Sequence, residues 1–173
     1  MVLKKVITLV TIFACSTTTL VLASPGHSDD TSSESKPTFR AGQPGESQSV
    51  DRVIQVEASD LMRFTSENWT VTPGDTIQFV VSNTGQILHE FVIDTVKGNA
   101  SHRKTMRETM AGDSMMVHDD PNSVSVLPGE SDELIWTFSE SGSFEAACNI
   151  PGHYQAGMRA QVSVFNGTVA HNP

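Results

Sequence analysis

Cysteine is nearly absent from this 173-residue chain, which has only Cys15 and Cys148. Cys15 falls in an opening segment with Lys4 and Lys5 followed by apolar runs at 6–14 and 20–23, the pattern of a secretory signal cut near Ala23. Export therefore leaves Cys148 as the single thiol. One thiol cannot close an internal disulfide, so in an oxidising compartment it is buried and inert, joined to another chain, or used chemically. Long apolar runs are also missing. The opening run is broken by the polar residues 16–19, which argues against a membrane span in the mature form. Positive charge is scarce as well. Removing residues 1–23 takes two of the 11 basic residues and none of the 20 acidic ones, leaving a net charge of −11. That balance argues against nucleic acid or an anionic membrane as a general partner.

The remaining sequence reads as one domain with flexible ends. Residues 24–49 are rich in Ser, Gly, Pro, Asp and Glu, with Phe39 the only large apolar side chain, and such a leader cannot offset its ordering entropy. From residue 50 onward, short alternating apolar runs separated by turn residues predict an all-β sandwich or barrel of about seven strands. Ile77, Phe79 and Val81 share one face, as do His89, Phe91 and Ile93, then Leu134, Trp136 and Phe138, then Phe144, Ala146 and Cys148, and finally Ala160, Val162 and Val164. One stretch breaks the alternation. Residues 99–111 contain good helix formers and no proline, and predict a helix within an insertion at about 95–122. A short tail, 166–173, closes the chain.

Chemistry concentrates in one string, Cys148-Asn149-Ile150-Pro151-Gly152-His153-Tyr154-Gln155-Ala156-Gly157-Met158. A thiolate, an imidazole and a thioether follow one another on a loop between two predicted core strands. Thiolate and thioether are soft ligands suited to copper, and one Cys with two His and a weak axial Met is the ligand set of a type 1 electron-transfer site. His89 opens a neighbouring strand after the turn Asn83-Thr84-Gly85, where an inward ligand at the rim of the core would sit. Zinc is the competing metal, but Met158 is a poor zinc ligand. A Cys-His nucleophile would need an orienting third group and an oxyanion site, neither of which is evident. Counting excludes other copper centres: a thiolate-bridged pair needs a second cysteine, and a multicopper oxidase needs paired His-x-His elements that the chain lacks.

On these residues the chain resembles the cupredoxins over residues 50–165. The strings His89-Glu90-Phe91 and His118-Asp119-Asp120-Pro121-Asn122, with the methionine-containing insertion between them, are most similar to the periplasmic cupredoxins of bacterial copper tolerance. The resemblance implies a Greek-key β-sandwich of about seven or eight strands with one helical insertion, and one Cu(I)/Cu(II) ion held by His89, Cys148, His153 and Met158. It further implies a periplasmic protein of copper tolerance or homeostasis rather than an enzyme, with periplasmic redox or copper-handling proteins as partners. A soluble one-electron carrier is the alternative. Glu90 stands where small carriers of this kind usually have Asn, and Asn149 follows the cysteine, so the two are expected to hydrogen-bond across the ligand loops with their residue types exchanged. Pro151 and Gly152 shape the turn that returns His153 to the metal.

Other side chains carry weaker signals. His102, Met106 and Met110 recur at four-residue spacing and, with Met115, Met116 and His118, could form a second, weaker site for Cu(I), on which a Cu(I)-oxidising activity would depend. Packing of the methionines against the sandwich is the preferred reading. Arg103, Lys104 and Arg107 read as a solvated stripe, and His27 and His171 as tail residues. The string Ile12-Phe13-Ala14-Cys15 loosely matches a lipoprotein cleavage site, which would lipidate Cys15, but the bulky Phe13 argues against it.

Overall fold

The computed structural model describes residues 39–66, 68–110 and 120–167. The expected signal segment, most of the expected leader, His27, Met115, Met116, His118 and His171 lie outside the described residues.

Ten strands form two five-stranded sheets among the described residues. The strands are β1 (Gln43–Pro44), β2 (Arg52–Ser59), β3 (Arg63–Phe64), β4 (Asn68–Val71), β5 (Thr76–Asn83), β6 (His89–Asp94), β7 (Ser123–Val126), β8 (Ser131–Thr137), β9 (Gly142–Ala147) and β10 (Arg159–Val164). Helix α1 (Val96–Met110) lies between β6 and β7, and the single turn α2 (His153–Ala156) between β9 and β10. One sheet has the order β1-β8-β5-β2-β3 and the other β4-β10-β9-β6-β7. Two pairings, β2 with β5 and β10 with β4, are parallel; the others are antiparallel.

Alternation builds the first sheet. Ile77, Phe79 and Val81 of β5 and Leu134 and Trp136 of β8 are buried, while the residues between them are less so. In the second sheet β6 is buried from His89 to Ile93 without a break. One face of β6 meets the opposite sheet and the other lies under α1, so both sets of side chains leave water. Phe91 from β6 meets Phe79 of the facing sheet at 5.2 Å and Phe64 at 5.2 Å, with Trp69 at 6.0 Å. Truncating such a ring to alanine costs about 3–5 kcal/mol, so the strand that begins with His89 is firmly held.

Three short strands, β1, β3 and β7, were not expected. The leader also ends earlier than its composition suggests. Ala41 is fully buried, its carbonyl accepts the Trp136 indole hydrogen at 3.2 Å, Phe39 packs edge-on to Trp136 at 5.5 Å, and β1 pairs with β8. These residues gain order from a partner nearly a hundred positions away, which local polarity does not reveal.

The expected helix is present and starts earlier, at Val96. The Thr95 hydroxyl accepts the Gly98 amide at 2.9 Å and so satisfies one of the free donors of the first turn. At the far end of the insertion, Asn122 exchanges two hydrogen bonds with Ile93: its amide side chain donates to the Ile93 carbonyl and its own carbonyl accepts from the Ile93 amide. The insertion is thus tied at both ends to the strand that carries His89.

Candidate metal centre

The topology brings three ligand-type side chains to one end of the sandwich. His89 begins β6, Cys148 follows the last residue of β9, and β6 and β9 are hydrogen-bonded neighbours. The loop after Cys148 then folds back on itself. Pro151 and Gly152 lie between the Ile150 carbonyl and the His153 amide, which bond at 3.1 Å, and Gly152 has φ 93°. A type II turn needs a positive φ at its third residue, which explains glycine there, and favours proline just before it. His153 opens α2, and Gly157 ends it in the left-handed conformation. Met158 then closes the loop: its amide donates to the His153 carbonyl at 3.1 Å, and its carbonyl accepts the Cys148 amide at 3.0 Å. Two backbone bonds therefore fix the spacing of Cys148, His153 and Met158.

One nitrogen of each of His89 and His153 and the Cys148 Sγ lie within 4.8 Å of one another. All three residues are buried, and Met158 is fully buried in the core cluster that also includes Cys148. The Cys148 Sγ is 3.3 Å from His153 Nδ1, and the two imidazole rings are 5.2 Å apart at 60°. Burial pushes the Cys148 thiol up to about 12, although the Glu90 and Ile150 amides pull the other way. Burial also lowers His153, and the neighbouring His89 adds to this. Without a metal the site therefore holds a thiol and a neutral His153 at neutral pH, and a metal must displace the thiol proton on binding.

Whether copper fits can be judged from His89. Its Nε2 is 3.1 Å from the Asp60 carboxylate, whereas its Nδ1 is fully buried with no hydrogen-bond partner. A buried ring nitrogen without a partner is costly, and this one belongs to a trio with a thiol and a second imidazole. A soft thiolate with two imidazoles matches the preference of copper. The donor set fits the metal.

Glu90 connects the two ligand strands. Its amide donates to the Cys148 Sγ at 3.3 Å, and one carboxylate oxygen accepts the Asn149 backbone amide at 3.2 Å. Glu90 and Asn149 therefore meet, but through the Asn149 main chain. The Asn149 side chain turns to the insertion instead, donating to Asn99 Oδ1 at 2.9 Å and accepting from Arg103 at 3.0 Å.

Helix α1 is docked on the back of the site. His102 Nε2 lies 3.0 Å from the other Glu90 oxygen, and its Nδ1 is 3.5 Å from Asp120. Burial would lower the His102 pKa, but Glu90, Asp120 and Asp94 together outweigh it and raise the value above that of an ordinary histidine. Arg103 is not part of a solvated stripe. Its guanidinium lies 3.5 Å from the centre of the Tyr154 ring and 3.9 Å from the buried Glu145, whose other oxygen accepts the Tyr154 hydroxyl at 3.2 Å. Lys104 and Arg107 are exposed as expected. Of the candidates for a second site, Met106 is buried in the core, Met110 is partly buried against it, and His102 faces carboxylates.

Several residues of this arrangement carried no sequence signal, Asp60, Asn99, Glu145 and Tyr154, and the signal of Arg103 pointed to solvent. Asp60 follows β2 in a short turn, where carboxylates are ordinary. Only a fold that stacks this turn on the start of β6 makes it a histidine partner.

A family model described as copper binding proteins of the plastocyanin/azurin family matches residues 50–165. The chain belongs to this family. It is 43% identical over 123 residues to the copper-resistant cuproprotein CopI of Rubrivivax gelatinosus, covering 71% of this chain and 72% of that protein. The protein of the same name from Pseudomonas aeruginosa is 40% identical over 148 residues, covering 71% and 81% of the two chains. Among solved structures, auracyanin B superposes with a TM-score of 0.57 at 18% identity, over 73% of this chain and 96% of that one. An auracyanin from Roseiflexus castenholzii gives 0.53 at 21%, over 66% and 98%. At such identities these structures speak for the shared fold, a cupredoxin sandwich. The chain is thus a copper-binding cupredoxin related to copper-resistance cuproproteins, and its His89, Cys148 and His153 cluster suits a type 1 site. Among the described residues no helix is long and apolar enough to cross a membrane.

Proposed function

We propose that this chain is an exported periplasmic cupredoxin that contributes to copper tolerance, in which Cys148, His89, His153 and Met158 would hold one copper ion. The observation that carries the reading is the buried trio of donor atoms within 4.8 Å, with His89 Nδ1 lacking any other partner. Bound there, copper would supply a one-electron Cu(I)/Cu(II) couple. The protein's part is to hold its ligands still. Cys148 is fixed by the Met158 carbonyl through its amide and by the Glu90 amide at its sulfur, and His153 by the turn through Gly152. Removal of the signal near Ala23, absence of a catalytic function and contact with copper-handling partners belong to the same reading. The relatives' name, copper-resistant cuproprotein, favours tolerance over a simple carrier role.

Optical titration of the mature protein with Cu(II) tests the site. One equivalent should produce strong visible absorption from the thiolate, and Cys148→Ser should abolish it; full copper loading without colour would refute the assignment. For the role, a deletion strain should grow poorly in excess copper. Unimpaired growth there, combined with a respiratory or other electron-transfer defect, would make the carrier the better reading.

A further inference from the structure

The hairpin between β2 and β3 places Asp60 against the outer edge of His89, with Oδ1 3.1 Å from Nε2. We propose that Asp60 is a positioning residue of the copper site, whose carboxylate keeps the hydrogen of His89 on Nε2, leaves Nδ1 for the metal and biases the centre toward Cu(II). This rests on the assignment of His89 as a ligand.

The contact is held by its surroundings. The second Asp60 oxygen accepts the Gln86 amide at 2.7 Å, so the carboxylate is gripped from the loop that leads into His89. That loop is tied to the same hairpin, because the Thr84 amide donates to the Ala58 carbonyl at 2.9 Å. Gly85 leaves the room required: a Cβ there would overlap the Asp60 carboxylate. The turn is further set by the Met62 amide, bonded to the Ser59 carbonyl at 2.9 Å, with Met62 at φ 57°. The hairpin turn and the loop that leads into His89 thus fix one carboxylate between them.

The chemistry follows from the charge. An ionised carboxylate can only accept a hydrogen bond, so the Nε2 facing it carries the hydrogen and Nδ1 keeps its lone pair. A carboxylate behind a ligating imidazole fixes its orientation and raises its basicity. A more basic ligand, with a negative charge close behind it, favours the doubly charged ion over the singly charged one. Removing that charge should weaken Cu(II) binding more than Cu(I) binding and raise the reduction potential.

The test compares the parent with Asp60→Asn, which keeps the size but not the charge, and Gly85→Ala, which keeps the carboxylate but fills the space it occupies. Glu57→Gln, an exposed site on β2, makes the same change in net charge and serves as control. For Asp60→Asn we expect a loss of about 10- to 100-fold in Cu(II) affinity and a smaller loss for Cu(I), so that the potential rises by about 59 mV for each tenfold difference between the two losses in a one-electron couple. Gly85→Ala should move the potential in the same direction. In the metal-free parent, nitrogen chemical shifts should show His89 protonated at Nε2. A parent histidine protonated at Nδ1, or an Asp60→Asn potential no different from that of Glu57→Gln while the visible band persists, overturns the proposal alone. A parent that loads copper without the visible band overturns the site assignment and this proposal with it.

Discussion

Replacing Arg103 with methionine asks whether the insertion helix stabilises the loop that carries Cys148 and His153. The guanidinium is about nine-tenths buried, donates to Asn149 Oδ1 at 3.0 Å and sits 3.5 Å from the centre of the Tyr154 ring. A hydrogen bond from a charged donor contributes about 1.5–3 kcal/mol, and a desolvated cation over an aromatic ring up to about 2 kcal/mol. The two share one side chain and do not simply add, while methionine retains much of the aliphatic packing. The loss should therefore be about 3 kcal/mol. For a chain of this size that lowers the melting temperature by about 6–12 °C. Urea denaturation or calorimetry of the metal-free protein would measure it, with the exposed Arg107→Met as control, expected to lie within about 0.5 kcal/mol of the parent. A loss below about 1 kcal/mol, or one equal to that of Arg107→Met, would show that Arg103 contributes nothing to the docking of α1 and would refute the reasoning.

Other outcomes follow from the same geometry. Met158→Leu should retain copper and shift the potential upward, on the order of 59 mV for each tenfold change in Cu(II) over Cu(I) preference; loss of copper as complete as in Cys148→Ser would make the thioether a principal ligand. Because the folded His102 has a raised pKa, its stabilising effect should be full below the unfolded value near 6.5 and fade as pH rises through the folded one. The stability gap between parent and His102→Gln should accordingly narrow from pH 6 to pH 8, and a constant gap would contradict the ion pair with Glu90. Glu145 is raised chiefly by burial, so the parent should lose stability relative to Glu145→Gln as pH climbs from about 4.5 through the folded value; a difference flat with pH would count against this.

The loop from Cys148 to Met158 was legible in the chain because its constraints are local. Cys148, His153 and Met158 lie on one short connection, and the proline and glycine that turn it are adjacent in sequence. The strands were legible for a similar reason: alternation of apolar side chains repeats every two residues wherever one face of a sheet meets a core. Even the helix of the insertion could be placed, since 99–111 lacks both alternation and proline. Three-dimensional packing decided the rest. Asp60 meets His89 across 29 positions, Arg103 meets Asn149 across 46, and Trp136 bonds Ala41 across 95. None of these pairs has a periodicity to announce it, because a polar side chain in a turn or on a helix looks the same in sequence whether it faces water or a buried partner. The strands had to pair, and the two sheets had to close, before those charges acquired neighbours.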